Sequence, residues 1–419
     1  MISPNVRRQA IYRYPVEWER FPIAPALETP HQVGERGQWM FKAELTKIEA
    51  KSLGSTFSSD DLIIVFHIDG GDDRDPYFID GLEFSSTGDT WDLSRGHPYN
   101  TQVAITLYED DIDSDNEIDT VEITDTSATT STLTITDGDA EYEIDYEVTD
   151  EGSTTAAEIA HQDFVDSNRP GVWSKIKKTD LTTNLDLFAT PPADQDGDGT
   201  PDAFQLDQGT LGYCSNIAVA FSVLWRQPRR FIELVRAIYE DGEFLSRTDE
   251  QSISSELLDS PVPSGIDSLE WLVSATMEDA DNWIDSVTAD DKQAGAYNEF
   301  EQYWLDELAG YDNTSITDDD AGEATVRNKS NTALNNGGTA ILGIHADMVR
   351  APPAGFRNSP GGKSANQMVL NHAVTLTGNF QTTGANTQYT IHTWGSQVQI
   401  NHPTNILNNY LYDTVAGSD

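Results

Sequence analysis

Short runs of alternating apolar and polar residues fill the chain between about residues 40 and 148. The runs are rich in β-branched and aromatic residues, and Gly, Asp, Asn and Ser separate them. They are FKAELTKI (41–48), DLIIVFHI (61–68), QVAITLYE (102–109), DTVEIT (119–124), STLTIT (131–136) and AEYEIDYEV (140–148). In the last run Tyr142, Ile144, Tyr146 and Val148 fall on one face of a strand. Strands of this length with turn residues between them predict an antiparallel β-sandwich.

The pattern changes in the second half of the chain. Apolar residues recur near helical spacing in FIELVRAI (231–238), around Trp271 and around Trp304. Strand-like runs return in TAILGIH (339–345), NHAVTLTG (371–378) and QYTIHTWG (388–395). Helices followed by strands predict an α+β unit here. The fold class is therefore multidomain: an N-terminal antiparallel β-sandwich followed by an α+β core.

Breaks in composition predict four segments. Residues 1–37 carry five prolines and are expected to form an extended lead-in. The sandwich is expected over 38–150, and an acidic linker with an Asp-rich loop over 151–203. The α+β core takes residues 204–419.

The charge balance is strongly acidic. The chain of 419 residues has 71 Asp and Glu against 25 Lys and Arg, a net charge of −46, yet 37% of it is hydrophobic. Dispersed acid on a chain that can bury a core indicates a folded protein adapted to high salt, where screening shortens to about 3 Å. The same field repels phosphate backbones and anionic lipid, so nucleic acid is excluded as an expected partner.

The chain also argues against a membrane span and against disulfides. No apolar run approaches the ~18–20 residues that a spanning helix needs, and the first residues lack an apolar signal core. A cytoplasmic location is expected, although the Asp-rich loop leaves an extracellular or surface-associated one open. The single Cys excludes an intrachain disulfide and a site with several thiolates.

That single cysteine, Cys214, lies in LDQGTLGYCSNIAVAFSVLWRQP (206–228). Glycines precede it and apolar residues follow it at helical spacing, so it is expected at a helix N-terminus. There the macrodipole favours thiolate over thiol. His372, in a late strand, can act as general base and acid. Gln208, six residues before the cysteine, can offer its side-chain NH₂ to an oxyanion.

These motifs resemble those of papain-fold cysteine proteases, and of the calpain branch most. QGTLGYC is similar to the nucleophile segment, LNHAVTLTG to the histidine strand, IHTWGS to the Asn-x-Trp-Gly strand and EWLVSATMEDADNW to the central helix. The likeness covers about residues 200–419. It implies a papain-like core in which Cys214 is the nucleophile, His372 the base, Gln208 the oxyanion donor and Trp394 a shield. The implied activity is endopeptidase hydrolysis of a protein or peptide substrate.

The chain departs from this family at three positions. Ser215 stands where Trp is usual, and Tyr213 where calpains have Asp. His392 stands where the family has the Asn that orients the catalytic histidine. Neutral His392 can accept a hydrogen bond from His372, but a protonated ring cannot, so activity is expected to fall as the pH drops through ~6–7.

Two other interpretations remain open at this stage. An inactive homologue would keep the papain scaffold as a binding or structural protein. Alternatively, Cys214, His372 and His392 would bind zinc, which suits Cys and His ligands.

Two acidic loops suggest structural Ca²⁺. DQDGDGTPD (194–202) has the oxygen-ligand spacing of an EF-hand-type loop, although position 12 is Gln205. EDDIDSDNEID (109–119) lies between two strand runs, and together with the sandwich it resembles the calcium-dependent β-sandwich that accompanies calpain-type cores. A docking role for the sandwich fits the charge better than lipid binding. The candidate calcium ligands are Asp194, Asp196, Asp198, Thr200, Asp202, Asp110, Asp111, Asp113 and Asp115.

Overall fold

The structure, a computed structural model, describes most of the chain from residue 39 onward. The described ranges are 39–53, 60–69, 74–109, 116–189, 206–209, 211–281, 298–317, 322–345, 349, 372–407 and 411–418. Among these residues, no helix has both the length and the apolar character needed to cross a membrane.

Eight antiparallel strands form the N-terminal part. They are β1 (Met40–Ser52), β2 (Asp60–Ile68), β3 (Ile79–Phe84), β4 (Thr90–Tyr99), β5 (Val103–Glu109), β6 (Asn116–Ile123), β7 (Thr129–Asp137) and β8 (Ala140–Gly152). One sheet has the order β4-β1-β8-β7 and the other β3-β2-β5-β6. Apolar residues of both sheets share one core, so the two sheets form a sandwich. The expectation of antiparallel sheets in this part of the chain is confirmed.

Strand alternation places the sandwich core where the sequence indicated. Tyr142, Ile144, Tyr146 and Val148 of β8 are all buried, while intervening residues such as Glu147 are exposed. β3 and β4 were not expected, because their sequences, IDGLEF and TWDLSRGHPY, lack a sustained alternation.

Two helices lie in the segment expected to be a polar linker. They are α1 (Ala156–Asp166) and α2 (Lys178–Ala189). A capping box starts α1: the Thr155 hydroxyl accepts the Glu158 N–H, and the Glu158 carboxylate accepts the Thr155 N–H. Apolar residues on both helices, such as Phe164 and Leu185, enter the large core of the C-terminal part. Each helix buries only a narrow stripe of apolar residues and is otherwise polar, so the sequence pattern did not predict it.

The helical layer continues with five elements. They are α3 (Cys214–Arg226), α4 (Pro228–Glu240), α5 (Ser255–Leu258), α6 (Ser268–Asp281) and α7 (Asn298–Glu307). Two short strands, β9 (Glu243–Leu245) and β10 (Glu250–Ser252), pair between them. Helix α3 is buried nearly all round, which explains its almost unbroken apolar sequence.

A six-stranded antiparallel sheet completes the C-terminal part. Its strands are β11 (Asn313–Ile316), β12 (Thr339–Ile344), β13 (His372–Thr383), β14 (Asn386–Thr393), β15 (Ser396–Pro403) and β16 (Leu411–Ser418), in the order β11-β16-β12-β13-β14-β15. Helices α8 (Glu323–Asn335) and α9 (Thr404–Leu407) complete the described elements. One face of the sheet joins the core around α3, and the other forms a separate core with α8.

Polar side chains join the sandwich to the helical layer. The Arg95 guanidinium donates to both carboxylate oxygens of Asp241, at 3.3 and 3.2 Å. The buried Tyr77 hydroxyl donates to Glu240 at 2.8 Å. The two partners of each pair come from opposite sides of this joint, so it is a specific contact.

Candidate active site

A small cleft lies between the start of α3 and the place where β13 begins and β14 ends. About 200 Å³ of space, part of it open solvent, lies between the side chains that line it. Its lining contains all four side chains predicted to be catalytic, together with the predicted shield Trp394. The lining residues are Gln208, Cys214, Ile217, Ala218, His372, Ala373, His392, Thr393 and Trp394. Folding therefore brings together positions that lie far apart in the sequence.

Cys214 is the first residue of α3 and is half-buried. Tyr213, the N-cap, makes no side-chain capping hydrogen bond, so N–H groups of the first turn stay uncapped near the sulfur. Ala373 of β13 makes a backbone hydrogen bond with the thiol. The Thr375 hydroxyl donates to the Ala218 carbonyl at 2.8 Å and so fastens β13 to α3.

The electrostatics at the sulfur differ from the expected ones. Burial raises the pKa of the Cys214 thiol, and the hydrogen bonds with Ala373 and Ser215 only partly oppose it. Nearby Glu301 raises this pKa further. The helix N-terminus alone therefore does not produce a thiolate at neutral pH, and a proton acceptor in the cleft is required.

A buried hydrogen bond joins the first turn of α3 to α7. The Ser215 hydroxyl donates to Glu301 Oε1 of α7 at 2.7 Å. Burial raises the pKa of Glu301 to about 8. The carboxyl group is thus mostly neutral at pH 7, and its charge acts on the sulfur only above about pH 8.

His372 is the first residue of β13, and its side chain is buried. Its ring stacks on Trp394 with centroids 4.0 Å apart and planes 10° apart. Its Nε2 forms a hydrogen bond of 2.5 Å with Thr393 Oγ1. Two consecutive residues at the end of β14 therefore fix this imidazole.

Trp394 has a left-handed backbone conformation. It forms a two-residue hairpin turn with Gly395, because Thr393 pairs with Ser396. Trp394 has φ 44° and Gly395 φ 66°, as a type I′ turn requires. A large aromatic residue in this region costs about 1 kcal/mol or more. The turn places the indole over His372 despite this strain.

Replacing Trp394 by Asn is expected to change the unfolding free energy by less than about 1 kcal/mol, because relief of strain offsets the lost ring contact. Urea denaturation in molar KCl measures this. As a control, Gly395→Ala should destabilise by about 1 kcal/mol or more, since its new Cβ would lie 3.1 Å from Asp207 Cβ. A loss of several kcal/mol in Trp394→Asn would contradict the assignment of strain.

Gln208 enters the cleft from a tight loop. Its carbonyl accepts the Leu211 N–H at 3.2 Å. Gly209 has φ +61°, and a Cβ there would lie 1.6 Å from the Gly265 carbonyl oxygen, so the position requires glycine. Asp207 packs beside Gly395, which sets Gln208 next to the Trp394 turn.

His392 does not occupy the place expected of it. In the antiparallel register Thr375 lies opposite His392, so these two residues share the face of the sheet that packs on α3. The His392 ring stacks on Phe221 of α3, with centroids 3.6 Å apart. Burial lowers the pKa of His392 to about 3. It therefore stays neutral well below the window of ~6–7, and its protonation gives no reason for activity to fall there.

The zinc interpretation of the cleft is wrong for the described residues. Cys214, His372 and His392 do not bring ligand atoms close enough together to form a metal-ligating group. Stacking holds each imidazole on an aromatic ring instead.

Two other groups have the spacing of metal ligands. Asp75, His97 and Glu233 are buried at the joint and have ligand atoms within 4.8 Å of one another. Within the described part of the chain, neither nitrogen of His97 and neither carboxylate oxygen of Glu233 has a hydrogen-bond partner. The group faces the charges of three arginines, however, which are Arg229, Arg230 and Arg236. Three guanidiniums against two carboxylates oppose a bound cation.

The second group lies nearer the surface, where Asp80, Glu243 and Glu250 approach one another. Burial, together with the neighbouring carboxylates Asp80 and Glu250, raises the pKa of Glu243 to about 8. Acidic clusters that can hold a metal ion are thus present, but sequence spacing did not reveal them. The predicted calcium ligands lie outside the described residues; they are Asp194, Asp196, Asp198, Thr200, Asp202, Asp110, Asp111, Asp113 and Asp115.

Sequence reasoning missed Thr393 and Glu301. Thr393 adjoins the resembling Trp-Gly motif, which is the signal that could have found it. Glu301 gives no sequence signal, because its partner Ser215 comes from a distant segment.

Comparisons with known proteins assign no family. No protein-family model matches the chain, and no curated protein matches it. Matching solved structures include human GIVD cytosolic phospholipase A2 with bound inhibitor, at 9% identity over 27% of this chain and 18% of that chain, TM-score 0.22. Another contains two C2 domains of Extended-Synaptotagmin 2, at 8% identity over 34% of this chain and 47% of that chain, TM-score 0.21. The chain thus spans under a fifth of the phospholipase and about half of the synaptotagmin fragment. Likenesses at these scores do not indicate a function for this chain.

Proposed function

We propose that this protein is a cysteine endopeptidase with a papain-like, calpain-type core, adapted to high salt. The observation that carries the proposal is the cleft in which Cys214, His372 and Gln208 meet. The sequence had already singled out these residues by their chemistry and by the family resemblance. A nucleophile, a base and an oxyanion donor are the parts that acyl transfer needs.

The proposed reaction begins with proton transfer from Cys214 Sγ to His372. The thiolate attacks the scissile carbonyl of a protein or peptide substrate, and the oxyanion faces the α3 N-terminus and the Gln208 amide. His372 returns the proton to the leaving amine as the C–N bond breaks. Water, deprotonated by His372, then hydrolyses the thioester and frees Cys214.

Burial raises the pKa of Cys214, so the scheme starts from a thiol that His372 has to deprotonate. An ion pair would form on substrate binding or transiently. The sandwich serves as a docking or modulating unit in this proposal, with structural Ca²⁺ in the acidic loops.

Alkylation of Cys214 tests the proposed function. In molar KCl at pH ~7.5, an epoxysuccinyl peptide is expected to modify Cys214 at least about tenfold faster than free cysteine, because His372 activates the sulfur. Intact-mass and peptide-mass spectrometry measure the adduct. The control is the same protein unfolded in guanidinium, which should react at the rate of a free thiol. Inertness of folded Cys214 would sink the proposal.

A catalytically silent binding protein is the second candidate. The raised pKa of Cys214 favours it, since a thiol without activation is inert. Under this alternative the cleft would bind peptides without cleaving them, and the epoxide would not react.

A further inference from the structure

The His372 imidazole has a hydrogen-bond partner that the resembling family does not use. Thr393 Oγ1 lies 2.5 Å from His372 Nε2, and both side chains are buried. Trp394 covers the ring from the next position. The hydrogen bond is therefore shielded from water. A shielded hydrogen bond constrains the ring more strongly than one exposed to water.

Sheet geometry explains why Thr393 makes this contact. The pairing Thr375↔His392 places His392 and Thr375 on the α3 face. Thr393 is one residue from His392, so its side chain leaves β14 on the other side and meets His372 at the start of β13. Both residues line the cleft together with Cys214. His372 therefore contacts Thr393, one residue further along β14, and not His392.

We propose that Thr393 is the positioning residue of the catalytic centre, replacing the orienting Asn of the resembling family. The inference rests on the proposed function. Its hydroxyl accepts the Nε2–H of His372 and selects the tautomer whose Nδ1 carries a lone pair. Nδ1 then takes the thiol proton of Cys214, and the resulting imidazolium keeps its Nε2–H bond to Thr393.

The main test compares three threonine variants. Thr393→Val keeps the shape and removes the hydroxyl, and is expected to lower kcat/KM about 10- to 100-fold. Thr393→Ser keeps the hydroxyl and should stay within about threefold of wild type. Thr390→Val, a half-buried threonine on the same strand, is the matched control and should not change kcat/KM. Equal losses in Thr393→Val and Thr393→Ser would overturn the proposal.

Alkylation separates positioning from structure and from the proposed activity. Iodoacetamide reaction of Cys214 across pH 5–10 reports the pH at which the thiolate forms. In Thr393→Val this pH should rise by about one unit, since the imidazolium loses a hydrogen bond; in Thr393→Ser and Thr390→Val it should not move. Glu301, close to Cys214, titrates in all variants alike. If wild type cleaves no peptide but the alkylation profile still shifts, the pairing of Thr393 and His372 holds and only the peptidase proposal fails.

Nitrogen NMR on the wild-type protein removes dependence on folding of the variants. With ¹⁵N-labelled histidine, His372 should show the Nε2–H tautomer between pH 7 and 8. An Nδ1–H tautomer there would overturn the proposal whatever the variants do.

Discussion

Replacing Cys214 by Ser is expected to lower peptide hydrolysis by at least about 10³-fold, while the fold stays unchanged. A hydroxyl has a far higher pKa than a thiol, so the proposed base His372 would activate it far less readily. Cys214 is half-buried, and burial raises the pKa of its thiol. The smaller oxygen therefore adds no strain or charge to the start of α3.

Hydrolysis of a casein-type substrate in molar KCl measures this loss, with near-ultraviolet circular dichroism as the check on folding. His372→Gln should lose a similar factor, since the two residues act as one unit. Thr332→Ala, which removes an exposed hydroxyl bonded within α8, should keep the activity. Retained hydrolysis in Cys214→Ser would show that another group is the nucleophile.

The second large effect concerns salt. Dilution from molar KCl to about 50 mM is expected to unfold the protein, because the screening length grows from about 3 Å to more than 10 Å. The net charge of −46 is then no longer screened, and self-repulsion opposes the compact state. The midpoint of the transition, followed by near-ultraviolet circular dichroism, reports the salt requirement.

A charge-reduced variant provides the matched control. Glu122→Gln, Asp139→Asn and Glu147→Gln remove three exposed carboxylates from the sandwich, so the midpoint should move to lower salt. Full stability in dilute buffer, or no shift in the variant, would show that the acidity has another origin.

The sequence predicted the parts of the fold that depend on local periodicity. The alternation in β8 and the helix that starts at Cys214 both follow from residues within one element. The helices α1 and α2 escaped prediction, because each buries only a narrow stripe in an otherwise polar segment. Local pattern alone cannot reveal such stripes, since tertiary packing stabilises them.

The sequence singled out residues that line the candidate site, but it did not predict which of them are hydrogen-bonded to one another. Chemistry and resemblance singled out Cys214, His372 and Gln208, and these residues line one cleft. The hydrogen bond between Thr393 and His372 depends on strand register, which a single sequence does not reveal. Contacts at the joint, such as Arg95 with Asp241, link residues from remote segments and have no local signature.

The joint between the sandwich and the helical layer uses some of the few positive charges of the chain. Arg95 pairs with Asp241 across it, and beside this pair Arg236 bonds Glu240 within α4 at 3.1 Å; all four side chains are buried or nearly so. Ions dissolved in brine weaken attraction between exposed groups but hardly reach an interior pair. Interactions between charges on the surface thus depend on the salt concentration, whereas those of the buried ion pairs at the joint do not. The two halves should therefore stay coupled at any ionic strength at which each remains folded.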